Sequence, residues 1–274
     1  VKMNIIDGRV RLRTPLLGSF WDSAQNPDVK EYETKYNYAE RKPAMETDEL
    51  ISIAASAGVQ KLLVYGSSPE ENSQILDLSR LHKQLIPVGG VNLKGGIQSA
   101  LQEIGRLKAA GIAAIDFSFL DVATVNDRKF YALYAYCELH QIPVIIHSAI
   151  HYARSNYMWR AKPEYFDEVA VDFPQLKIIM SHGGNGFGPP VLAVTQRHPN
   201  IFLEFSAMRP KYMAPEFIQA ANTYLKHHCI FGTDYPLTDF EPQINLWKYA
   251  LREEVWEHFF EKNLLRALFE APVS

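Results

Sequence analysis

Cysteine is scarce in this chain: two residues in 274, Cys137 and Cys229, each inside an apolar stretch. Two thiols in so long a chain do not make a disulfide framework, and their surroundings mark them as reduced core residues. An excess of positive charge is also missing. Lys and Arg total 28 against 31 Asp and Glu, a formal net charge of -3, so no basic field is available to hold a nucleic-acid backbone. No apolar run approaches the roughly 18 residues that would span a bilayer. The opening VKMNIIDGRVRLR has neither the apolar segment nor the small-residue cleavage site of a secretory leader. The expectation is a cytoplasmic protein that engages neither membrane nor nucleic acid.

What is present is a rhythm. Short β-branched runs read as buried parallel strands, and longer stretches with apolar spacing near 3.6 read as helices. Strands are expected at 4–11, 61–65, 85–91, 112–117, 143–147, 177–182, 201–205 and 229–234. Between them, Phe130, Leu133, Tyr134 and Cys137 repeat at i, i+3, i+4 and i+7. The segment 163–173 opens with Pro163, suited to a first helical turn, and carries Phe166, Val169, Ala170 and Phe173 on one face. Eight strands alternating with helices, with no strongly linker-like stretch, predict one α/β domain over residues 1–274, a closed (β/α)8 TIM barrel.

One segment breaks the rhythm. Residues 12–45 hold Pro15, Gly18, Pro27 and Pro43 amid Phe20, Trp21, Tyr32, Tyr36 and Tyr38. A loop this long after the first strand emerges on the catalytic face of a barrel. It reads either as a lid or as an excursion packed on neighbouring helices.

Three polar residues fall at the C-terminal ends of predicted strands, where barrel enzymes place chemistry. His147 closes the fifth strand, His182 the sixth and Asp234 the eighth. A lone histidine after an apolar run is most often a satisfied core residue. Three polar groups at corresponding positions of separate strands point to one shared pocket, for a metal, a water or a substrate. The other histidines fall in helices or loops and are expected mostly solvated; His151 alone is near enough to the fifth strand to reach the pocket.

At these residues the chain resembles the amidohydrolase superfamily, in the amidohydrolase-related branch that includes pyrone dicarboxylate lactonases and aminocarboxymuconate-semialdehyde-type decarboxylases. Ile6-Asp7 stands where the family begins its first strand. Pro143 to His147, Ser181-His182-Gly183-Gly184, Phe231-Gly232-Thr233-Asp234-Tyr235-Pro236 and Asn263 to Leu268 match its later motifs. The resemblance implies an enzyme acting on a small carboxylated molecule, and it is compatible with a homodimer.

One motif departs from the pattern. The family's first strand ends in His-x-His, two metal ligands; here Arg9-Val10-Arg11 occupies the place. Arginine carries no usable lone pair and stays protonated, so it cannot ligate a cation. Three readings follow. In one, no cofactor is needed: Arg9 and Arg11, with Arg154 and Tyr157 from the loop after strand five, bind a small anionic molecule, Asp234 is the general base, and His182 or His147 is the acid. In another, His147, His182 and Asp234 hold one divalent metal such as zinc. In the last, the arginines only neutralise Asp234, Asp116 or Glu204 inside the barrel. Hydrolysis of a lactone or other C–O bond is the first functional expectation. The alternatives are a lyase (decarboxylase or hydratase) and a non-catalytic ligand-binding barrel with a decayed metal site.

Overall fold

Eight short strands recur along the chain and each pairs with the next. The computed structural model describes residues 3–13, 30–31, 34–35, 37, 44–118, 122–150 and 157–271. The strands are β1 (Ile5–Val10), β2 (Val59–Tyr65), β3 (Leu85–Val91), β4 (Ala114–Phe117), β5 (Val144–His147), β6 (Ile178–Ser181), β7 (Ile201–Glu204) and β8 (Cys229–Ile230). All seven successive pairings are parallel. The outer edges then meet: Gly8 N donates to Phe231 O at 3.0 Å, Arg11 N to Tyr235 O at 2.8 Å, and Asp234 N to Arg9 O at 2.9 Å. The sheet is closed through these bonds, giving the (β/α)8 barrel that the alternation predicts.

Among the described residues the helices are α1 (Thr47–Ser56), α2 (Pro69–Leu81), α3 (Gly96–Ala109), α4 (Tyr131–Leu139), α5 (Pro163–Asp172), α6 (Pro190–Arg197), α7 (Pro215–Asn222), α8 (Phe240–Ala250), α9 (Glu253–Glu257) and α10 (Asn263–Phe269). Local chemistry explains their starts. Ser68 caps α2 by accepting from Glu71 N at 3.2 Å, with Pro69 in the first turn. Pro163 opens α5 in the same way, since its missing N–H is one that a first turn leaves unpaired anyway. None of these helices is long and apolar enough to cross a membrane.

The core has two layers. Inside the barrel lie Ile6, Leu63, Val88, Ala114, Ile145, Ile179, Phe202 and Ile230, and Leu264, Ala267 and Leu268 of α10 pack against their lower end. Between strands and helices lies a larger shell that includes Phe130, Leu133, Tyr134 and Cys137, all fully buried. Each buried large side chain contributes about 1.5–3 kcal/mol. Both cysteines are free and buried. Asn263 ties α10 to the barrel floor, its amide donating to Lys226 O at 2.8 Å and Cys229 O at 2.7 Å.

Every strand end falls within two residues of expectation except that of β8. The sixth strand stops at Ser181, because His182 turns away with a left-handed φ of 60°. The eighth strand ends at Ile230 rather than at residue 234; Asp234 has φ 55°, which no extended strand accommodates. Of the loop at 12–45, most residues lie outside those described, so the lid expectation falls outside them too.

Candidate active site

Alternation of side chains across a strand fixes what caps the interior. Ala114, Ile145, Ile179 and Phe202 face inward. Two residues further along each strand stand Asp116, His147, Ser181 and Glu204. A ring of two carboxylates, one imidazole and one hydroxyl thus overlies the hydrophobic layer at the C-terminal end of the barrel. β1 reaches this ring by changing step. Ile6 belongs to the inner cluster, yet Val10, of the same parity, packs in the outer shell. Pairing with β2 slips between Asp7 and Val10, and the slip brings Arg9 inward.

Arg9 is buried within the ring, 3% exposed as a residue. Its Nη2 donates to Ser181 Oγ at 2.6 Å and Asp116 Oδ1 at 3.4 Å, and its Nε donates to Glu204 Oε2 at 3.3 Å. The Tyr65 ring lies against its face, with Cζ 4.2 Å from the centroid. Burial works against the charge, but the surrounding anionic groups, Asp116, Glu204 and Asp234 among them, outweigh it and hold Arg9 protonated well beyond its ordinary range. Burial also pushes the Tyr65 phenol up, so Tyr65 is neutral and contributes its ring face rather than a charge. Its hydroxyl donates to Gly8 O at 2.8 Å.

His182 is oriented by the same carboxylate. Its Nδ1 lies 3.1 Å from both Ser206 O and Ser206 Oγ, and Ser206 Oγ donates to Glu204 Oε2 at 2.9 Å. A carbonyl oxygen only accepts, so Nδ1 carries the proton and Nε2 of the neutral ring keeps its lone pair. The His147 ring centroid is 5.0 Å from that of His182. Glycine at 232 makes room for this assembly, since a Cβ there would collide with the Glu204 carboxylate.

Asp234 is buried and held through its backbone, N to Arg9 O, with Leu237 N donating to its carbonyl at 2.8 Å. Beneath it, fully buried Asp7 accepts from Arg9 N at 3.0 Å, Thr233 N at 2.9 Å and Thr233 Oγ1 at 2.6 Å. Burial raises the Asp7 carboxyl to about 7 despite these bonds. His182, Ala207 and Asp234, just beyond β6, β7 and β8, all have left-handed backbones. Such conformations cost about 1–3 kcal/mol each for non-glycine residues and concentrate at functional sites.

The expected site residues are therefore brought together in part. Arg9, His147, His182 and Asp234 all belong to the mouth of the barrel, and Arg11 stands beside them with Cζ 5.9 Å from the Tyr65 centroid. Arg9 does not offer a free fork to a substrate: its Nε and Nη2 are spent on protein groups, as the expectation of internal neutralisation required. Ser181, not His182, takes the inward strand position. Tyr157 is 68% exposed and stacked under the Arg160 guanidinium, Cζ 4.6 Å from its centroid. Arg154 and His151 lie outside the described residues. His198 is not solvated; it is buried, with Nε2 2.7 Å from Asp167 Oδ1.

The metal expectation meets a poor fit. Among the described residues no three His, Cys, Asp or Glu side chains gather closely enough to hold a metal ion, so His147, His182 and Asp234 do not form the cation set expected of them. The first-strand positions carry guanidiniums, which repel a cation at such distances. Sequence reasoning missed Asp7, Tyr65, Ser181 and Ser206. The signal for Asp7 was available: a carboxylate inside the buried run IIDGRV must have partners.

Among solved structures, the chain is similar to an uncharacterized TIM-barrel protein from Bordetella bronchiseptica, at 25% identity and TM-score 0.80 over 98% of this chain and 99% of that one. It shares its fold with 5-carboxyvanillate decarboxylase from Sphingomonas paucimobilis (14% identity, TM-score 0.68, 97% and 98% covered). The same holds for a Pseudomonas putida protein provisionally described as 2-pyrone-4,6-dicarboxylic acid hydrolase (12% identity, TM-score 0.62, 98% of each covered). No curated protein sequence matches it. The amidohydrolase family profile matches residues 24–270, and with nine-tenths of its length so matched, the chain belongs to the amidohydrolase family.

Proposed function

We propose that this chain is a hydrolase for a small carboxylated substrate, a lactone or another C–O bond first, in which Asp234 takes the proton of the attacking water. The observation that carries this reading is the geometry of the mouth: a buried carboxylate, Asp234, and an imidazole, His182, whose Nδ1 is engaged by Ser206, so that in the neutral ring Nε2 is the acceptor. Acceptors of this kind suit the removal of a proton from water. The commitment of His182 Nδ1 to Ser206 disfavours His182 as the acid in its neutral form, which leaves His147 for that part. The negative charge that develops on the substrate is met by the fixed positive charge of Arg9 rather than by a metal.

Lyase chemistry is the alternative on the same groups, and a decarboxylase stands among the proteins of like fold. The pairing of Arg9 with Asp116 and Glu204 also suits a barrel that binds a ligand without transforming it. Assay of Asp234→Asn against a panel of lactones and aromatic acids separates these readings. Loss of about 10²-fold or more in kcat, with the unfolding curve retained, supports the hydrolase. Undiminished turnover rejects Asp234 as the base. If the unaltered protein turns over only aromatic acids, releasing carbon dioxide, the lyase takes its place.

A further inference from the structure

We infer that the Arg9 guanidinium is the resident cation of this barrel and that its Nη1 edge binds a carboxylate oxygen of the substrate. The inference deepens the proposed function, on which it rests for the substrate being carboxylated. Family resemblance leads one to expect a metal at the end of β1, and the side chains there do not fit one. What they do fit is a planar cation. Glu204 and Ser206, Asp116 and Ser181 enclose the Nε and Nη2 side of Arg9, and Tyr65 covers its face.

Those bonds fix the group without exhausting it. Nη1 makes none of them, and it is not among the buried polar atoms that lack a partner. A guanidinium held on one edge and one face presents its remaining N–H groups in a fixed direction, which is how a carboxylate is bound with little loss of side-chain freedom. No proton moves in this binding step. The guanidinium stays protonated, and its Nη1–H donates to an oxygen that is already anionic.

Benzoate, with benzamide as its neutral counterpart, probes the site without assuming a substrate. Calorimetry on chelator-treated protein should show benzoate binding and at least 10-fold weaker benzamide binding, with the benzoate affinity unchanged when EDTA is present. Arg9→Met combined with Glu204→Gln removes one charge of each sign, and it should lower benzoate affinity at least 10-fold. Should that variant not fold, ¹⁵N spectra of the unaltered protein give a second test, because benzoate should shift the Arg9 side-chain signals. Equal binding of benzoate by the folded double variant, no shift of Arg9, no benzoate binding at all, or binding abolished by EDTA would each overturn the inference. None of these outcomes depends on turnover, so failure here is distinct from failure of Asp234 as the base.

Discussion

Arg9 and His182 are joined through two oxygen atoms, one of Glu204 and one of Ser206. Glu204 Oε2 accepts from Arg9 Nε at 3.3 Å and from Ser206 Oγ at 2.9 Å, and that hydroxyl lies 3.1 Å from His182 Nδ1. The fixed charge in the barrel and the orientation of the imidazole at its mouth therefore depend on the same carboxylate. Disturbing either end is felt at the other.

Arg9→Met leaves Glu204 and Asp116 buried without their cation. Breaking a buried pair from one side costs about 3–5 kcal/mol, whereas removing both partners costs far less. Urea unfolding should show the single variant strongly destabilised, with Arg9→Met/Glu204→Gln recovering much of the loss. A single variant as stable as the parent would mean that the pairing is energetically idle.

Asp7 predicts a pH dependence of stability. Its folded pKa of about 7 lies above the ordinary 3.8, so the folded state holds this proton more tightly than the unfolded chain. The contribution is fully present below about pH 4, declines as pH rises towards 7, and is constant above that. The span amounts to a few kcal/mol on the order of 1.4 per unit. Chemical unfolding measured from pH 4 to 8 should give a steeper fall for the unaltered protein than for Asp7→Asn. Parallel curves would remove Asp7 from the account.

Gly232→Ala places a methyl against the Glu204 carboxylate and Ser206 Cβ. Overpacking of this kind costs about 1–3 kcal/mol. The displaced carboxylate should also weaken the bond that orients His182, so kcat should fall more than stability alone explains. A variant with normal stability and turnover would show that the glycine is there for another reason.

Much of this architecture was legible before any coordinates. The strands announced themselves because parallel barrel strands are buried on both faces, and the helical face of Phe130, Leu133, Tyr134 and Cys137 is fully buried as its spacing predicts. Asp116 and Glu204 were legible as partners for arginine. The slip in β1 was not, because Gly8 and the residues around it carry no periodic signal, and the direction of Arg9 depends on it. Ser181 and Ser206 were hidden for a different reason: a lone serine has no distinctive spacing, and the role of each exists only once a partner arrives from another strand, Arg9 of β1 for Ser181 and His182 after β6 for Ser206.

The left-handed turn at His182 has a consequence for how much a strand end can deliver. In an unbroken strand, neighbours in sequence look to opposite sides, so a barrel of eight strands offers its cavity only every second residue. Reversing the backbone at His182 lets Ser181 hold the Arg9 charge from within while the next side chain is anchored to Ser206 at the opening. Consecutive residues thereby both serve the mouth of the barrel, and the cost is a conformation that a β-branched replacement at 182 would tolerate poorly.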